Sequence, residues 1–282
     1  MKICRTIAEI RRETNPSKRK EKNIGFVPTM GALHEGHACL LRQCRRENDV
    51  SILSIFVNPI QFGKNEDFSK YPRQFEKDEK LAKKEKVDIM FHPSVEEMYP
   101  DEILTKIDVG ALSKNLCGKF RPGHFQGVAT VVAKLFNIVS PTRVYFGQKD
   151  AQQAFIIQRM LRDLNFPIDM IIAPTIRAND GLALSSRNIY LSTQERKESP
   201  VLFQSLKEAQ TLIEKGERSA AKITRRIQSM IQKKSSGKIQ YIECVDTQTL
   251  NPVSNLKGNV LIALAVFFGK TRLIDNMIVD VA

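Results

Sequence analysis

Two imidazoles three residues apart, His34 and His37, stand in the segment Pro28-Thr29-Met30-Gly31-Ala32-Leu33-His34-Glu35-Gly36-His37. On a first helical turn that spacing points both rings the same way, and two imidazoles so placed are donors for phosphate oxygens. The segment lies between a strand-like run (24–27) and a helix-like run (38–48). It therefore occupies the carboxyl end of a strand and the N-terminus of a helix, and both places favour an anion. Gly31 and Gly36 remove side chains where a flat ring or a backbone must come close. The letters also fit a metal pair, although zinc helices use HExxH with spacing four, and they fit a capping turn with incidental histidines. The segment alone leaves all three open.

Four further segments extend the set. Leu184-Ser185-Ser186-Arg187-Asn188 reads alone as a polar turn, but beside the histidines its hydroxyls and guanidinium suit a triphosphate and a departing pyrophosphate. Tyr145-Phe146-Gly147-Gln148-Lys149-Asp150-Ala151-Gln152-Gln153 is a second strand end entering a helix. There Gly147 permits a tight turn, Lys149 offers a point charge, Asp150 either caps the helix or meets a ribose, and Gln153 lies one turn on. In Phe56-Val57-Asn58-Pro59-Ile60-Gln61-Phe62-Gly63, the Gln61 amide is both donor and acceptor, which suits a substrate with hydroxyl and carboxylate groups. Phe120-Arg121-Pro122-Gly123-His124-Phe125 is a closing loop or an ordinary surface turn. His92, beside Pro93, reads as structural or exposed, and Asp78-Glu79 and Glu96-Glu97 read as solvated faces.

Bulk properties narrow the field. The chain has 282 residues, 42% of them hydrophobic, which is enough for a packed core in one large domain or two modest ones. Five cysteines without a CxxC pair argue against a disulfide framework or a zinc knuckle and for a reducing compartment. The start has no apolar run of a secretory signal. The longest apolar run, 260–268, is nine residues, against roughly 20 for a membrane span. The net charge of +13 concentrates in 11–22 and 215–238, without interleaved aromatics for base stacking, so solvated helix faces and a basic pocket are expected rather than a nucleic-acid surface.

The elements that must position these residues follow from periodicity. Strand-like runs at 24–27, 50–57, 87–91, 143–146 and 168–173 alternate with helical segments at 38–48, 74–86, 127–138 and 151–164. The run 50–57 is too apolar to have a wet face, as in parallel strands covered on both sides. This alternation predicts an α/β fold, a Rossmann-like doubly wound parallel sheet. Beyond about residue 184 the character changes to two helices (193–215, 220–233) and three strands (239–245, 260–268, 272–279) separated by Asn/Pro/Gly turns. The expected division is a binding domain over 1–182 and a smaller α+β lid with an antiparallel sheet over 183–282.

FVPTMGALHEGH, IFVNPIQFG, YPR, RPGHFQGV, YFGQKDAQQ and ALSSRN occur here in one chain and in that order. Together they resemble the pantoate–β-alanine ligase (pantothenate synthetase) family over residues 26–188. HxGH by itself also fits other nucleotidyltransferases, including class I tRNA synthetases. The resemblance implies ATP-dependent condensation of (R)-pantoate with β-alanine through a pantoyl-adenylate, with Mg²⁺, in a cytoplasmic homodimer that has no nucleic-acid or membrane partner. It implies ATP contacts from Met30, Gly31, Ala32, Leu33, His34, Glu35, Gly36 and His37. Further ATP contacts would come from Gly147, Gln148, Lys149, Asp150, Ile176, Leu184, Ser185, Ser186 and Arg187. His37 would be the proton donor, with His34, Lys149, Ser186 and Arg187 as its catalytic companions. Gln61 would contact pantoate and lie near β-alanine, and Gln153 would hold pantoate. No protein metal ligand is implied. Gln148, where many members carry glutamate, and Ala151, often an aromatic, depart from the pattern.

Overall fold

The computed structural model describes residues 1–63, 66 and 68–281. In chain order the first unit runs β1 (Lys2–Cys4), α1 (Ile7–Arg19), β2 (Ile24–Thr29), α2 (Glu35–Glu47), β3 (Val50–Ile55), α3 (Phe75–Lys84), β4 (Ile89–Phe91), the short α4 (Val95–Met98) and α5 (Cys117–Phe120), α6 (His124–Val139), β5 (Arg143–Gly147), α7 (Ala151–Asp163) and β6 (Asp169–Ala173). The second unit follows with α8 (Thr193–Glu198), α9 (Val201–Glu214), α10 (Ala220–Lys234), β7 (Lys238–Asp246), β8 (Gly258–Phe268) and β9 (Thr271–Val281).

The first unit is a six-stranded, all-parallel sheet in the order β1-β4-β3-β2-β5-β6 with helices around it, as its alternating pattern requires. From β2 the chain steps one way to β3, while β5 lies on the other side. The carboxyl ends of β2 and β5 thus flank the switch point, where open α/β sheets bind ligands. On one face α6 buries twelve of its sixteen residues and leaves only the narrow polar stripe Gln126, Thr130, Lys134 and Asn137 outside. Its Phe136 packs in one core with Phe26, Ile52 and Phe146 of the sheet; full burial of such a side chain contributes about 1.5–3 kcal/mol. On the other face the one-sided helix α2 sends Leu40, Leu41 and Cys44 onto Val27, Leu53 and Tyr145.

The second unit is an antiparallel sheet in the order β7-β8-β9. Its central strand explains the long apolar run. Val260, Ile262, Leu264, Val266 and Phe268 pack in a core with the α9 and α10 stripes. The alternate residues Leu261, Ala263 and Ala265 pack with Leu116, Cys117, Phe125 and Ile156 of the first unit. Side chains alternate across a strand, so a strand covered on both faces has no polar positions. The same apolar cluster joins the two units.

Several elements depart from the sequence reading. β1 and α1 lie outside the expected elements: three strand residues give too little pattern, and the charges of 11–22 sit on the exposed side of α1, which buries Ile10 and Thr14. The single helix expected over 193–215 is two, because Pro200 has no N–H to continue the ladder and α9 restarts after it. Glu97 is not simply solvated: it accepts from the Ile7 N–H at 2.7 Å and so helps cap α1. Among the described residues no helix is long and apolar enough to cross a membrane.

Gly127 on α6 faces the turn Pro59–Gln61, and a Cβ there would stand 2.3 Å from the Ile60 carbonyl oxygen. Because that oxygen is main chain, relief requires moving the helix or the turn. Gly127→Ala is expected to lower stability by about 1–3 kcal/mol, read as a shift in denaturant midpoint. An unchanged midpoint would show that the approach is not tight.

Candidate active site

The loop after β2 is held from below. Gly31 has φ +81° and Ala32 φ +50°. A left-handed alanine costs roughly 1–2 kcal/mol. Against that, the Asp78 carboxylate on α3 accepts from the Ala32 N–H at 2.9 Å and the Leu33 N–H at 2.7 Å. Hydrogen bonds to an ionised acceptor contribute about 1.5–3 kcal/mol each, so the pair offsets the strain. Burial holds the Asp78 carboxyl above its usual range, with the Leu33 and Ala32 N–H groups offsetting only part of the rise. Reading Asp78 as part of a solvated face is therefore corrected: the side chain is 2% exposed. The signal was its position, since 75, 78 and 82 form one helical stripe whose other members, Phe75 and Ala82, are apolar and packed against the core.

So fixed, the loop delivers His34 as the N-cap of α2. The Gly36 N–H donates to His34 Nδ1 at 3.1 Å, and the His34 N–H donates to His37 Nδ1 at 3.3 Å. Both Nδ1 atoms are acceptors, so in each neutral ring the proton sits on Nε2. The rings stand 4.2 Å apart between centroids. Burial, helped by the Lys149 ammonium and opposed by Asp150, brings His34 down to about 4. Burial and the His34 ring bring His37 down to about 3. At neutral pH the pair is thus two uncharged N–H donors.

His34 and His37 line a cavity of about 240 Å³ with Met30, Gly36, Gln61, Gly147, Lys149, Asp150, Gln153, Ile176, Leu184, Ser185, Ser186 and Arg187. The segments that the sequence places far apart therefore share one wall. A larger cavity, about 930 Å³, shares Lys149, Asp150, Gln153, Ser185 and Arg187 and reaches between the two units to Tyr241, Arg272 and Asn276. Five of the expected residues, Gly31, Ala32, Leu33, Glu35 and Gln148, lie off both walls. Glu35 faces outward and pairs with Arg42.

Each remaining segment has its own support. Gln61 is buried, with Nε2 on Met30 Sδ at 2.9 Å and Oε1 accepting from Asn58 Nδ2 at 3.1 Å. Asn58 is itself oriented by Tyr99, whose hydroxyl donates to Asn58 Oδ1 at 2.8 Å. Asp150 precedes α7 but makes no capping hydrogen bond, so its carboxylate is left for the cleft. Burial would raise it, but Lys149 and Arg187 outweigh burial and hold it below the usual range. Of the glutamine pair, Gln152 is committed to the main chain of Leu112, Asn115 and Cys117, leaving Gln153 on the cavity wall. Ser185 Oγ accepts from the Arg187 N–H at 3.2 Å and shapes the 184–187 turn. Arg187 stands 5.8 Å over the Tyr71 ring.

Arg121 and His124, open between a closing loop and a surface turn in the sequence, line both cavities. Arg121 holds Glu66 and meets His124 Nε2 at 2.9 Å, which leaves the His124 Nδ1–H to donate to the Gln61 carbonyl at 2.8 Å. His92 is structural, with Nδ1 on the Ile55 carbonyl at 2.9 Å and its ring stacked on Phe75. Among the described residues no three His, Cys, Asp or Glu side chains could hold a metal ion. Asp150 is the one carboxylate among the described residues on the smaller cavity's wall. A single carboxylate fits a cation that a phosphate ligand brings with it.

The depressed histidines make stability pH-dependent. In the unfolded chain they bind protons near 6.5, while in the fold they do so near 4 and 3. Between those values the unfolded state binds more protons, so acidification favours it. The unfolding free energy is expected to fall as pH drops from about 6.5 towards 4, and more shallowly in a His34→Asn/His37→Asn variant. Equal slopes would mean that other groups carry the effect.

Comparisons with known proteins place the chain in a family. The family model described as Pantoate-beta-alanine ligase matches residues 2–278. The pantothenate synthetase of Caldicellulosiruptor saccharolyticus is 54% identical over 281 residues, covering 100% of both chains. The crystal structure of pantothenate synthetase from Thermus thermophilus superposes with a TM-score of 0.93 at 44% identity, covering 98% of this chain and 99% of that one. The pantoate-beta-alanine ligase of Francisella tularensis, complexed with beta-gamma ATP and beta-alanine, gives 0.80 at 37% identity, covering 98% and 97%. With a family model and close relatives matching over nearly the whole length, and with the same fold, the chain belongs to the pantoate–β-alanine ligase family.

Proposed function

We propose that the chain condenses (R)-pantoate with β-alanine to pantothenate with consumption of ATP, through a pantoyl-adenylate, releasing AMP and pyrophosphate. The observation that carries this reading is the meeting, on one cleft, of two imidazole Nε2–H donors, the Lys149 ammonium, the Ser185–Arg187 turn and the amides of Gln61 and Gln153. The ligands named for the Francisella tularensis relative, ATP and β-alanine, support the same pair here.

In the first step a pantoate carboxylate oxygen attacks the α-phosphorus in line. The bond to the bridging oxygen breaks, and pyrophosphate leaves with the electron pair. Such a transfer asks the protein for positioning and charge stabilisation more than for covalent chemistry. His34 and His37 donate from Nε2 to phosphate oxygens, Lys149 and Arg187 balance their charge, and Ser186 adds a hydroxyl. Gln61 and Gln153 hold pantoate. Mg²⁺ enters with the nucleotide as part of the substrate. As neutral donors at the N-terminus of α2, the two histidines act first by hydrogen bonding; an incoming polyanion favours their protonated forms and lets His37 pass a proton.

In the second step the β-alanine amine, having lost a proton, attacks the acyl carbon, and the bond to the adenylate oxygen breaks to free AMP. The mixed anhydride must be kept from water. We assign that task to the C-terminal part, with a binding domain over 1–182 and a lid over 183–282 that carries Ser185–Arg187. By the same family reading the enzyme works as a cytoplasmic homodimer.

AMP is expected only when ATP, pantoate and β-alanine are all present, and pyrophosphate already with ATP and pantoate alone. His37→Ala is expected to slow pyrophosphate release by about 10²-fold with the fold retained by circular dichroism. Near-normal release by that variant would reject the role of His37, and ATP binding without any AMP would reject the ligase reading.

A further inference from the structure

The C-terminal third contains no short motif, yet two adjacent residues of β9 reach the cleft. Asn276 is 4% exposed. Its Nδ2 donates to the main-chain carbonyls of Gln148 at 3.0 Å and Lys149 at 2.9 Å, and its Oδ1 faces Gln148 Nε2 at 3.4 Å. All three contacts fall on the single turn Gln148–Asp150, which links β5 to α7 and has no side-chain cap of its own. Without Asn276 those two carbonyls would lose the donor that crosses from the second unit.

The neighbouring residue fixes the register. Asp275, 2% exposed, accepts both Arg177 amino groups, at 2.6 and 2.8 Å. The guanidinium lies 3.8 Å over the Phe203 ring. Arg177 bridges to Ala183, and the Leu184 N–H donates to the Ile176 carbonyl at 3.0 Å. This hairpin leads directly into 184–187. Successive side chains of a strand diverge, so one strand reaches both phosphate-facing segments, the turn through Asn276 and the hairpin through Asp275.

We infer that Asn276 is a positioning residue for the nucleotide half-reaction: it holds the main chain of Gln148 and Lys149 across the joint between the units and thereby sets where the Lys149 ammonium stands. The inference rests on the ATP reading of the cleft proposed above. The requirement is for N–H donors. Aspartate has the same size but brings carboxylate oxygens against two carbonyl oxygens. A misplacement of about 1 Å at a reacting centre can cost on the order of 10²-fold in rate.

The test is pantoate-dependent pyrophosphate formation by wild type, Asn276→Asp, Lys149→Ala and the double variant. Asn276→Asp is expected to lower kcat by about 10- to 100-fold while leaving KM for β-alanine in the full reaction unchanged. In the Lys149→Ala background the same change is expected to cost little more, because its effect travels through that ammonium. A residue that only stabilises the fold would lower the melting temperature and combine additively with Lys149→Ala. Wild-type kcat in folded Asn276→Asp, or full additivity, overturns the assignment. Should Asn276→Asp not fold, Asn276→Ala removes the donors without adding charge; failure of both to fold makes the residue structural and also overturns it. A wild type that forms no pyrophosphate overturns the reading of the cleft and this assignment with it, whereas wild-type turnover with an unaffected variant overturns this assignment alone.

Discussion

The buried carboxylate of Asp78 and the two main-chain N–H groups it accepts are the contact on which the site depends. A left-handed alanine beside a left-handed glycine is not a conformation that the loop would keep unaided. Held there, the chain turns sharply enough off β2 for His34 to cap α2 with its own ring. That capping settles the tautomer, because Nδ1 is occupied as an acceptor and the proton is left on Nε2. The chemistry offered by the pair thus depends on a side chain of a different helix that touches neither ring.

Burial then sets the charge. A cationic imidazole at the N-terminus of a helix, next to Lys149, would face both the dipole and a like charge. The fold resolves this by keeping both rings neutral and leaving the positive charge to Lys149 and Arg187. Asp150, ionised between those two cations, limits the repulsion when no anion is present. The cleft is therefore a set of fixed dipoles with a partly compensated charge. Such a set needs little reorganisation as negative charge builds up on a phosphate.

Much of this was legible in the sequence, and the parts that were not share a physical reason. The parallel sheet could be read because 50–57 and 24–27 are apolar in the way that strands covered on both faces must be. The histidine, glutamine and Ser-Ser-Arg segments could be read because each is a short polar interruption at the end of a strand or hairpin. Asp78, Asn58 and Asn276 escaped, since each acts through a main-chain or side-chain contact with a residue 3 to 128 positions away. Single-sequence periodicity cannot report such a pairing. β1 escaped for the opposite reason: three residues hold too little pattern, and its place is set only by pairing with β4.

The apolar seam between the units has a consequence for how the cleft can open. Leu261, Ala263 and Ala265 pack with Leu116, Phe125 and Ile156, while the polar contacts of Asp275 and Asn276 lie on the neighbouring strand β9. Separating the units completely would expose the seam and strip the Gln148 and Lys149 carbonyls at once, and neither loss would be offset by a ligand as small as pantoate. The 184–187 turn is tied to the same strand, since the hairpin that leads into it is held by Asp275 through Arg177, while Ser185 shapes the turn and Arg187 stands over Tyr71. The apolar seam is therefore what allows β9 to act as a fixed support for both segments, the turn at Gln148–Asp150 through Asn276 and the hairpin into 184–187 through Asp275.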